Sequence, residues 1–250
     1  MQTTSADGTE ISYSTTGSGT PVVLVGGAFS DGLSNGPLGE LLAPRLTAVS
    51  YARRGRGDSG DTLPYSVDRE VEDLTAVMAA VGASAVYGMS SGGLLALLTA
   101  SRVPVDRVAV YEPPFNADPS TAFAEEQADR IAAGDREGAV RAFLGATGMP
   151  KQVIDDIRDG MGWPHLINLA HTLPYDHQVV AETGLPDLAQ ISARTLVLSG
   201  AASPPFLTAA AGLVADTVPG AKHIALAEQT HNVDIALLAP LVADFFTESD

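Results

Sequence analysis

Residues 84–95 read SAVYGMSSGGLL, which is a short β-like run, a tight turn and the start of an Ala- and Leu-rich helical run. The central residues, 88–92, fit the pattern G-x-S-x-G. A chain that reverses sharply from strand into helix leaves no room for side chains two residues before and after the serine, and Gly88 and Gly92 meet that requirement. The turn would present the Ser90 hydroxyl beside the free N–H groups and positive dipole end of the following helix. Ser90 is therefore a candidate nucleophile, although Gly- and Ser-rich turns also meet this pattern by chance.

The length and composition indicate one α/β domain with a large core. The chain has 250 residues, of which 45% are hydrophobic, and no cysteine. The absence of cysteine excludes disulfides, thiolate metal sites and cysteine nucleophiles. The first ten residues lack the basic and apolar regions of a secretory signal, and the longest apolar runs are too short to span a bilayer. We expect a soluble, cytoplasmic protein with no membrane partner.

The charge balance favours a small-molecule partner. The formal net charge is −16, and Lys151 and Lys222 are the only lysines in the sequence. A negative surface of this size opposes binding to nucleic acid and to anionic membranes. We expect a neutral or cationic small-molecule substrate and no nucleic-acid partner, and a homo-oligomer is compatible with the sequence.

Strands and helices alternate along most of the chain. An edge hairpin is predicted over residues 2–16, and unbroken β-branched runs predict buried strands. We call the turn at Ser90 the elbow. The expected buried strands are 21–25, 47–51, the run before the elbow, 105–110, 195–200 and 223–226, and the expected helices are 67–81, the run after the elbow, 207–218 and 233–246. This alternation predicts an α/β fold with a mostly parallel sheet flanked by helices.

Residues 115–183 have a different pattern. Short helical pieces are separated there by Gly and Pro, and no strand is convincing. We interpret this segment as a small α-helical cap inserted after the strand that follows the elbow helix, so that residues 1–114 and 184–250 form the core. Ligands of parallel sheets bind at the carboxyl ends of strands, which places the expected site beneath this cap.

Five motifs resemble those of the α/β-hydrolase family. They are VVLVGGA (22–28), YARRGRGDSGD (51–61), GMSSGG (88–93), TLVLSGAASPP (195–205) and EQTHNVD (228–234). They cover most of the chain outside the cap, and their order agrees with the family's nucleophile, acid and histidine. The resemblance implies an α/β-hydrolase core similar to that of serine esterases and lactonases.

The resemblance implies that His231 is the general base. Of the five histidines, it alone lies in the loop after the last core strand, where an imidazole could take the Ser90 proton and return it to the leaving group. The other histidines are interpreted as structural or packing residues: His165, His171, His177 and His223. No pair of them has the spacing and carboxylate neighbours of a metal site, so no metal is expected.

The acid departs from the usual family pattern. Many members carry Asp at the position that is Ser203 here, and serine cannot supply the charge that stabilises an imidazolium. In some haloalkane dehalogenases and lactone hydrolases of this fold, the acid follows the strand after the elbow helix, and that position is Glu112 in this chain. We assign Glu112 as the acid, a surface Glu at a strand end being the alternative. Asp234, which could instead cap the last helix, and Asp31 are reserve candidates.

The same resemblance implies that the backbone N–H groups of Ala28 and Ser91 form the oxyanion hole. Candidates for lining the substrate pocket are Phe29, Met161, Trp163 and Tyr175, for which packing is an alternative explanation. In the Arg-rich loop, Asp58 and Asp61 are interpreted as internal partners of the three arginines rather than as part of a phosphate site.

These assignments predict a cofactor-independent serine hydrolase that cleaves a small uncharged carboxylic ester or lactone through an acyl-enzyme. The serine nucleophile argues against haloalkane dehalogenase and epoxide hydrolase chemistry, for which the family uses Asp. Two alternatives stay open: a lyase, cyclase, perhydrolase or C–C bond-processing enzyme on the same scaffold, and a non-catalytic small-molecule receptor.

Overall fold

The computed structural model describes residues 1–115 and 121–248. Its strands are β1 (Gln2–Thr4), β2 (Glu10–Thr16), β3 (Thr20–Val25), β4 (Leu46–Tyr51), β5 (Ala85–Met89), β6 (Arg107–Tyr111), β7 (Arg194–Gly200) and β8 (Lys222–Leu226). They form one eight-stranded sheet in the order β1-β2-β4-β3-β5-β6-β7-β8. β2 is antiparallel to β1 and β4, and the other strands, β3 to β8, are all parallel to one another. The predicted α/β class and mostly parallel sheet are confirmed.

Helices cover both faces of the sheet. They are α1 (Gly36–Leu42), α2 (Val67–Val81), α3 (Ser91–Arg102), α4 (Ala122–Ala132), α5 (Arg136–Ala146), α6 (Lys151–Arg158), α7 (Trp163–Leu169), α8 (Leu173–Glu182), α9 (Leu185–Ala189), α10 (Pro205–Thr217) and α11 (Ile235–Thr247). Successive β3 residues point to opposite faces, so that Val23 belongs to the core layer shared with α2, α3 and α10, while Leu24 belongs to the layer shared with α1 and α11. Both faces are therefore apolar and buried, as parallel strands require.

Local signals fix the ends of several helices. α2 begins after Ser66, whose hydroxyl accepts the Arg69 N–H, and ends at Gly82 in the left-handed conformation (φ 66°). It spans the predicted residues 67–81. α1 was not predicted, because its sequence, GPLGELL, contains two glycines and a proline in seven residues. It forms because Leu38 and Leu42 pack into the core beneath the sheet.

The segment between β6 and β7 contains helices α4 to α9, and we call the first five of them, α4 to α8, the inserted helices. No strand occurs among its described residues, 112–115 and 121–193, as the sequence predicts. α8 contacts α2 and α3 of the core on one side and α4 and α5 on the other, so it joins the inserted helices to the sheet layer. Residues 116–120 of the expected cap lie outside the described residues, and the division into core and cap stays a prediction.

No helix within residues 1–115 or 121–248 is both long and apolar enough to cross a bilayer.

Candidate active site

The elbow between β5 and α3 holds Ser90 in a conformation that non-glycine residues rarely adopt. Its φ is 55° and its ψ is −131°. Such strain persists only where the surroundings enforce it, and here the Ser90 N–H donates to the Tyr111 carbonyl oxygen at 3.0 Å. This bond ties the turn to the end of β6. The serine therefore stands at the carboxyl edge of the sheet, at the N-terminus of α3.

The elbow glycines are required by contacts with neighbouring backbone. A Cβ on Gly92 would lie 2.5 Å from the carbonyl oxygens of Gly26 and Val25, and a Cβ on Gly88 would lie 2.4 Å from the Gly92 oxygen. Both separations are far below van der Waals contact. The absence of side chains thus lets the start of α3 pack directly against the end of β3, which brings the Gly26-Gly27 loop beside Ser90.

Glu112 and His231 are hydrogen-bonded to each other. Glu112 follows β6 directly, is 0% exposed, and has its Oε2 2.7 Å from the Nδ1 of His231. Its Oε1 accepts the Gly200 N–H at 2.7 Å. The backbone of Glu112 has a positive φ of 44°, a second strained residue at this edge of the sheet. The carboxylate is thereby held by one bond from the end of β7 and directed at the histidine by the other.

The pKa of Glu112 lies below its usual value. Burial alone would raise it, but the hydrogen bonds from His231 and the Gly200 N–H favour the carboxylate and outweigh burial. The buried Ser203 hydroxyl close to the carboxylate also lowers the pKa of Glu112. Glu112 is therefore ionised at neutral pH, and an ionised carboxylate can only accept, so the His231 Nδ1 carries the proton. The Nε2 of a neutral His231 is left with its lone pair free.

The reserve acids have other roles. The Asp234 carboxylate accepts the Ala236 N–H at 2.8 Å and caps α11, as the alternative interpretation predicted. Asp31 accepts from the N–H groups of Leu33 and Ser34 and shapes its own loop. Of the candidates weighed from the sequence, Glu112 is the carboxylate that bonds His231.

The two backbone N–H groups assigned to the oxyanion hole are available as donors. Among the described residues, the N–H groups of Ala28 and Ser91 have no hydrogen-bond partner. Ser91 is the first residue of α3, whose early N–H groups have no acceptor within the helix. Free backbone donors close to the nucleophile are what stabilisation of an oxyanion requires.

The four pocket candidates have different surroundings. Phe29 meets Phe143 of α5 edge to face at 5.2 Å, and Trp163 packs into the same apolar cluster, between the loop after β3 and the inserted helices. The Met161 side chain is fully exposed to solvent. Tyr175 stacks on Tyr65 at 3.9 Å and donates to the Asp61 carboxylate, so packing explains it and the pocket interpretation does not.

The remaining histidines make structural contacts. His223 bonds the Ser199 hydroxyl at 2.9 Å, and the two ring nitrogens of His171 lie 3.0 Å and 2.9 Å from the carbonyl oxygens of Asn168 and Gly55. His165 bonds the Phe29 carbonyl oxygen at 3.1 Å. His177 is packed between Phe123 and Phe143, and burial lowers its pKa. These contacts agree with the structural roles that the sequence predicted.

The predicted partners of the Arg-rich loop were wrong. Asp58 and Asp61 are exposed and bind none of the three arginines. The arginines are buried and paired with distant carboxylates: Arg53 with Glu70 and Asp176, Arg54 with Asp73 and Asp7, and Arg56 with Asp176. The aspartates of the loop are close in sequence but point outward, because the loop turns its arginines toward the core.

Comparison with known proteins identifies the scaffold. The model of the "Alpha/beta hydrolase family" matches residues 22–236. The chain belongs to the alpha/beta hydrolase family. The expected resemblance is confirmed, and family membership supports a hydrolase.

Solved structures of this hydrolase family share the whole fold. An alpha/beta hydrolase from Sphaerobacter thermophilus DSM 20745 is 42% identical, with a TM-score of 0.90 over 99% of this chain and 100% of that chain. The enol-lactonase from Burkholderia xenovorans LB400 is 22% identical (TM-score 0.76; 97% and 98% covered). A thermophilic esterase from Thermogutta terrifontis is 19% identical (TM-score 0.78; 98% and 97% covered). No curated protein matches the sequence.

Proposed function

We propose that this alpha/beta hydrolase is a serine hydrolase that cleaves a small uncharged carboxylic ester or lactone through an acyl-enzyme. The observation that carries the proposal is the 2.7 Å hydrogen bond between the buried Glu112 carboxylate and the Nδ1 of His231. This bond leaves the Nε2 as the proton acceptor that a serine nucleophile needs. The strained elbow at Ser90 and the free N–H groups of Ala28 and Ser91 support the same chemistry.

In acylation, the Ser90 Oγ attacks the carbonyl carbon of the substrate while its proton passes to the Nε2 of His231. The negative charge that develops on the carbonyl oxygen is stabilised by the N–H groups of Ala28 and Ser91. Glu112 stabilises the imidazolium and keeps the ring in the correct orientation. When the tetrahedral intermediate collapses, His231 returns the proton to the leaving alkoxide, and an acyl-serine remains.

In deacylation, water replaces the alcohol. His231 removes a proton from the water as it attacks the acyl-serine, and the second tetrahedral intermediate uses the same two N–H donors. Collapse releases the carboxylic acid and restores the Ser90 hydroxyl with the proton held by His231. A lactone follows the same steps, with the alcohol and acid groups of one molecule joined in the product.

The charge of the protein and the similar structures both favour this substrate class. A net charge of −16 repels anionic substrates, and the ester and lactone carbonyl is neutral. The structural relatives described as an esterase and an enol-lactonase act on bonds of this kind. We infer a cytoplasmic enzyme that needs no cofactor for these steps.

The test is hydrolysis of p-nitrophenyl acetate and of δ-valerolactone by the wild type and by Ser90→Ala. We expect turnover by the wild type and a fall of about 10⁶-fold in the variant, by analogy with serine proteases. Ser101→Ala is the matched control, because Ser101 lies on the same helix and its hydroxyl donates to the Leu98 carbonyl oxygen of that helix. Turnover that survives in Ser90→Ala would overturn the mechanism. No turnover of either substrate by the wild type would favour the receptor or non-hydrolytic alternatives.

A further inference from the structure

A buried charged cluster contacts the two segments that carry the Ala28 and Ser91 N–H groups. It consists of Asp176 on α8, Arg53 and Arg56 from the loop after β4, and Ser91 at the start of α3, and we call it the Asp176 cluster. None of these residues is more than 3% exposed. Charges buried to this degree need partners on every side, so their contacts are fixed rather than averaged by solvent.

The Asp176 carboxylate is at the centre of the cluster. Its Oδ1 accepts from the Arg53 Nη1 at 2.7 Å and from the Ser91 hydroxyl at 2.7 Å. Its Oδ2 accepts from the Arg56 Nη2 at 2.8 Å. Burial alone would raise its pKa, but the two guanidinium groups lower the pKa to about 2. One carboxylate of the inserted helices thus fixes two arginines and one serine of the core.

The cluster contacts the Gly26-Gly27 loop through its two arginines. The Arg56 Nη1 donates to the Gly27 carbonyl oxygen at 2.7 Å, and the Arg53 Nη1 lies 3.4 Å from the Gly26 carbonyl oxygen. In a trans peptide the C=O and the following N–H point in opposite directions. Fixing the Gly27 carbonyl toward Arg56 therefore directs the Ala28 N–H away from the cluster.

The cluster also contacts the elbow, through Ser91. The Ser91 side chain donates to Asp176, while the Ser91 backbone N–H is the second free donor. The hydroxyl bond anchors the first residue of α3, which carries this N–H, to Asp176. Both candidate oxyanion donors therefore lie in short segments that are tied to one carboxylate, directly at Ser91 and through Arg56 at Gly27.

We propose that Asp176 is a positioning residue that orients the Ala28 and Ser91 N–H groups. Because Asp176 lies on α8, oxyanion stabilisation then depends on the packing of the inserted helices against the core. This proposal rests on the proposed function, in which the two N–H groups stabilise an oxyanion. It predicts that loss of the Asp176 charge changes the rate of the chemical step more than the binding of the substrate.

The chain contains a matched control for a purely structural role. Asp73 binds the buried Arg54 through two contacts of 2.7 Å, and it touches no part of the Gly26-Gly27 loop or the elbow. Asp73→Asn therefore removes one buried carboxylate charge from Arg54, and Asp176→Asn removes one that is shared by Arg53 and Arg56 of the same loop. Both variants should lower the Tm, and only Asp176→Asn should disturb the oxyanion donors.

The experiment measures kcat, KM and phenylboronic acid inhibition with p-nitrophenyl acetate as the substrate. For Asp176→Asn we expect kcat to fall about 10- to 100-fold, somewhat less than the loss of a whole oxyanion donor, with KM within about 3-fold of the wild type. The inhibition constant of the boronate, a tetrahedral analogue, should rise with the loss in kcat. Asp73→Asn should keep kcat within about 2-fold. Equal losses of kcat in the two variants would overturn the proposal.

A second readout does not depend on catalysis. Amide hydrogen exchange in peptides covering residues 26–30 and 88–95 should become faster in Asp176→Asn and not in Asp73→Asn. If the wild type proves inactive but this difference is found, the proposed function fails and the positioning role stands. Unchanged exchange in both segments would contradict the positioning role. If Asp176→Asn does not fold, Ser91→Ala, which keeps the backbone N–H, should still lower kcat without raising KM, and an unchanged kcat there would also overturn it.

Discussion

Glu112→Gln is the substitution whose effect follows most directly from the geometry. The side chains have the same size, and the left-handed backbone at this position strains both equally. The Gln amide oxygen would keep the Gly200 N–H, which Oε1 now accepts at 2.7 Å, and the amide nitrogen would then face the Nδ1 of His231. Because that nitrogen only donates, Nδ1 would become an acceptor and the ring proton would move to Nε2. His231 could then no longer take the Ser90 proton.

The expected loss is about 10⁴-fold in kcat, as for Asp-to-Asn changes in serine proteases, and it corresponds to about 5 kcal/mol of barrier. The assay is hydrolysis of p-nitrophenyl acetate across pH 5 to 9 together with the Tm. Glu228→Gln is the matched control, since Glu228 lies in the histidine loop, has a positive φ of 61° and is exposed. A loss of less than about 10-fold in a folded Glu112→Gln protein would refute the role of Glu112.

Two further predictions test packing and charge. Gly92→Ala places a Cβ 2.5 Å from two backbone oxygens, and we expect it to abolish activity and lower the Tm. The control is Gly212→Ala on α10, whose Cβ would meet nothing within 4 Å and should stabilise the fold by about 1 kcal/mol. Similar Tm changes in the two variants would contradict the packing of α3 against β3. The lowered pKa of Asp176, about 2 against an ordinary 3.8, contributes about 2 kcal/mol of stability that is present above pH 3.8 and lost as the pH falls through 2. Chemical denaturation should therefore show the stability advantage of the wild type over Asp176→Asn shrinking by that amount between pH 4 and pH 2, and a constant difference would be evidence against this charge pairing.

Much of the core could be predicted because its signals are local. Unbroken apolar runs identify the parallel strands, and the steric demands of the turn at Ser90 identify the elbow. Glu112 could be assigned from its place after a strand and before two prolines, and the structure shows its bond to His231. The short helix α1 escaped prediction, because its stability comes from packing against the sheet rather than from its Gly- and Pro-containing sequence.

The partners of the arginines could not be predicted from the sequence. Asp176 is 120 residues away from Arg56, and only the packing of α8 onto the core brings them together. Asp58 is near in sequence and has the right charge, but it is exposed and bonds none of them. A burial pattern along α8 would have been the available signal, since a charged residue on an otherwise buried helix face requires a partner.

The central claim is that Ser90 is an activated nucleophile, and covalent labelling tests it most directly. The wild type is incubated with diethyl p-nitrophenyl phosphate, and the adduct is counted by intact mass and located by peptide fragmentation. We predict one diethylphosphoryl group per chain, on Ser90, with no adduct in Ser90→Ala and much slower labelling in Glu112→Gln. A folded wild-type protein that takes up no label, or that is labelled at another residue while Ser90 stays free, would contradict the account.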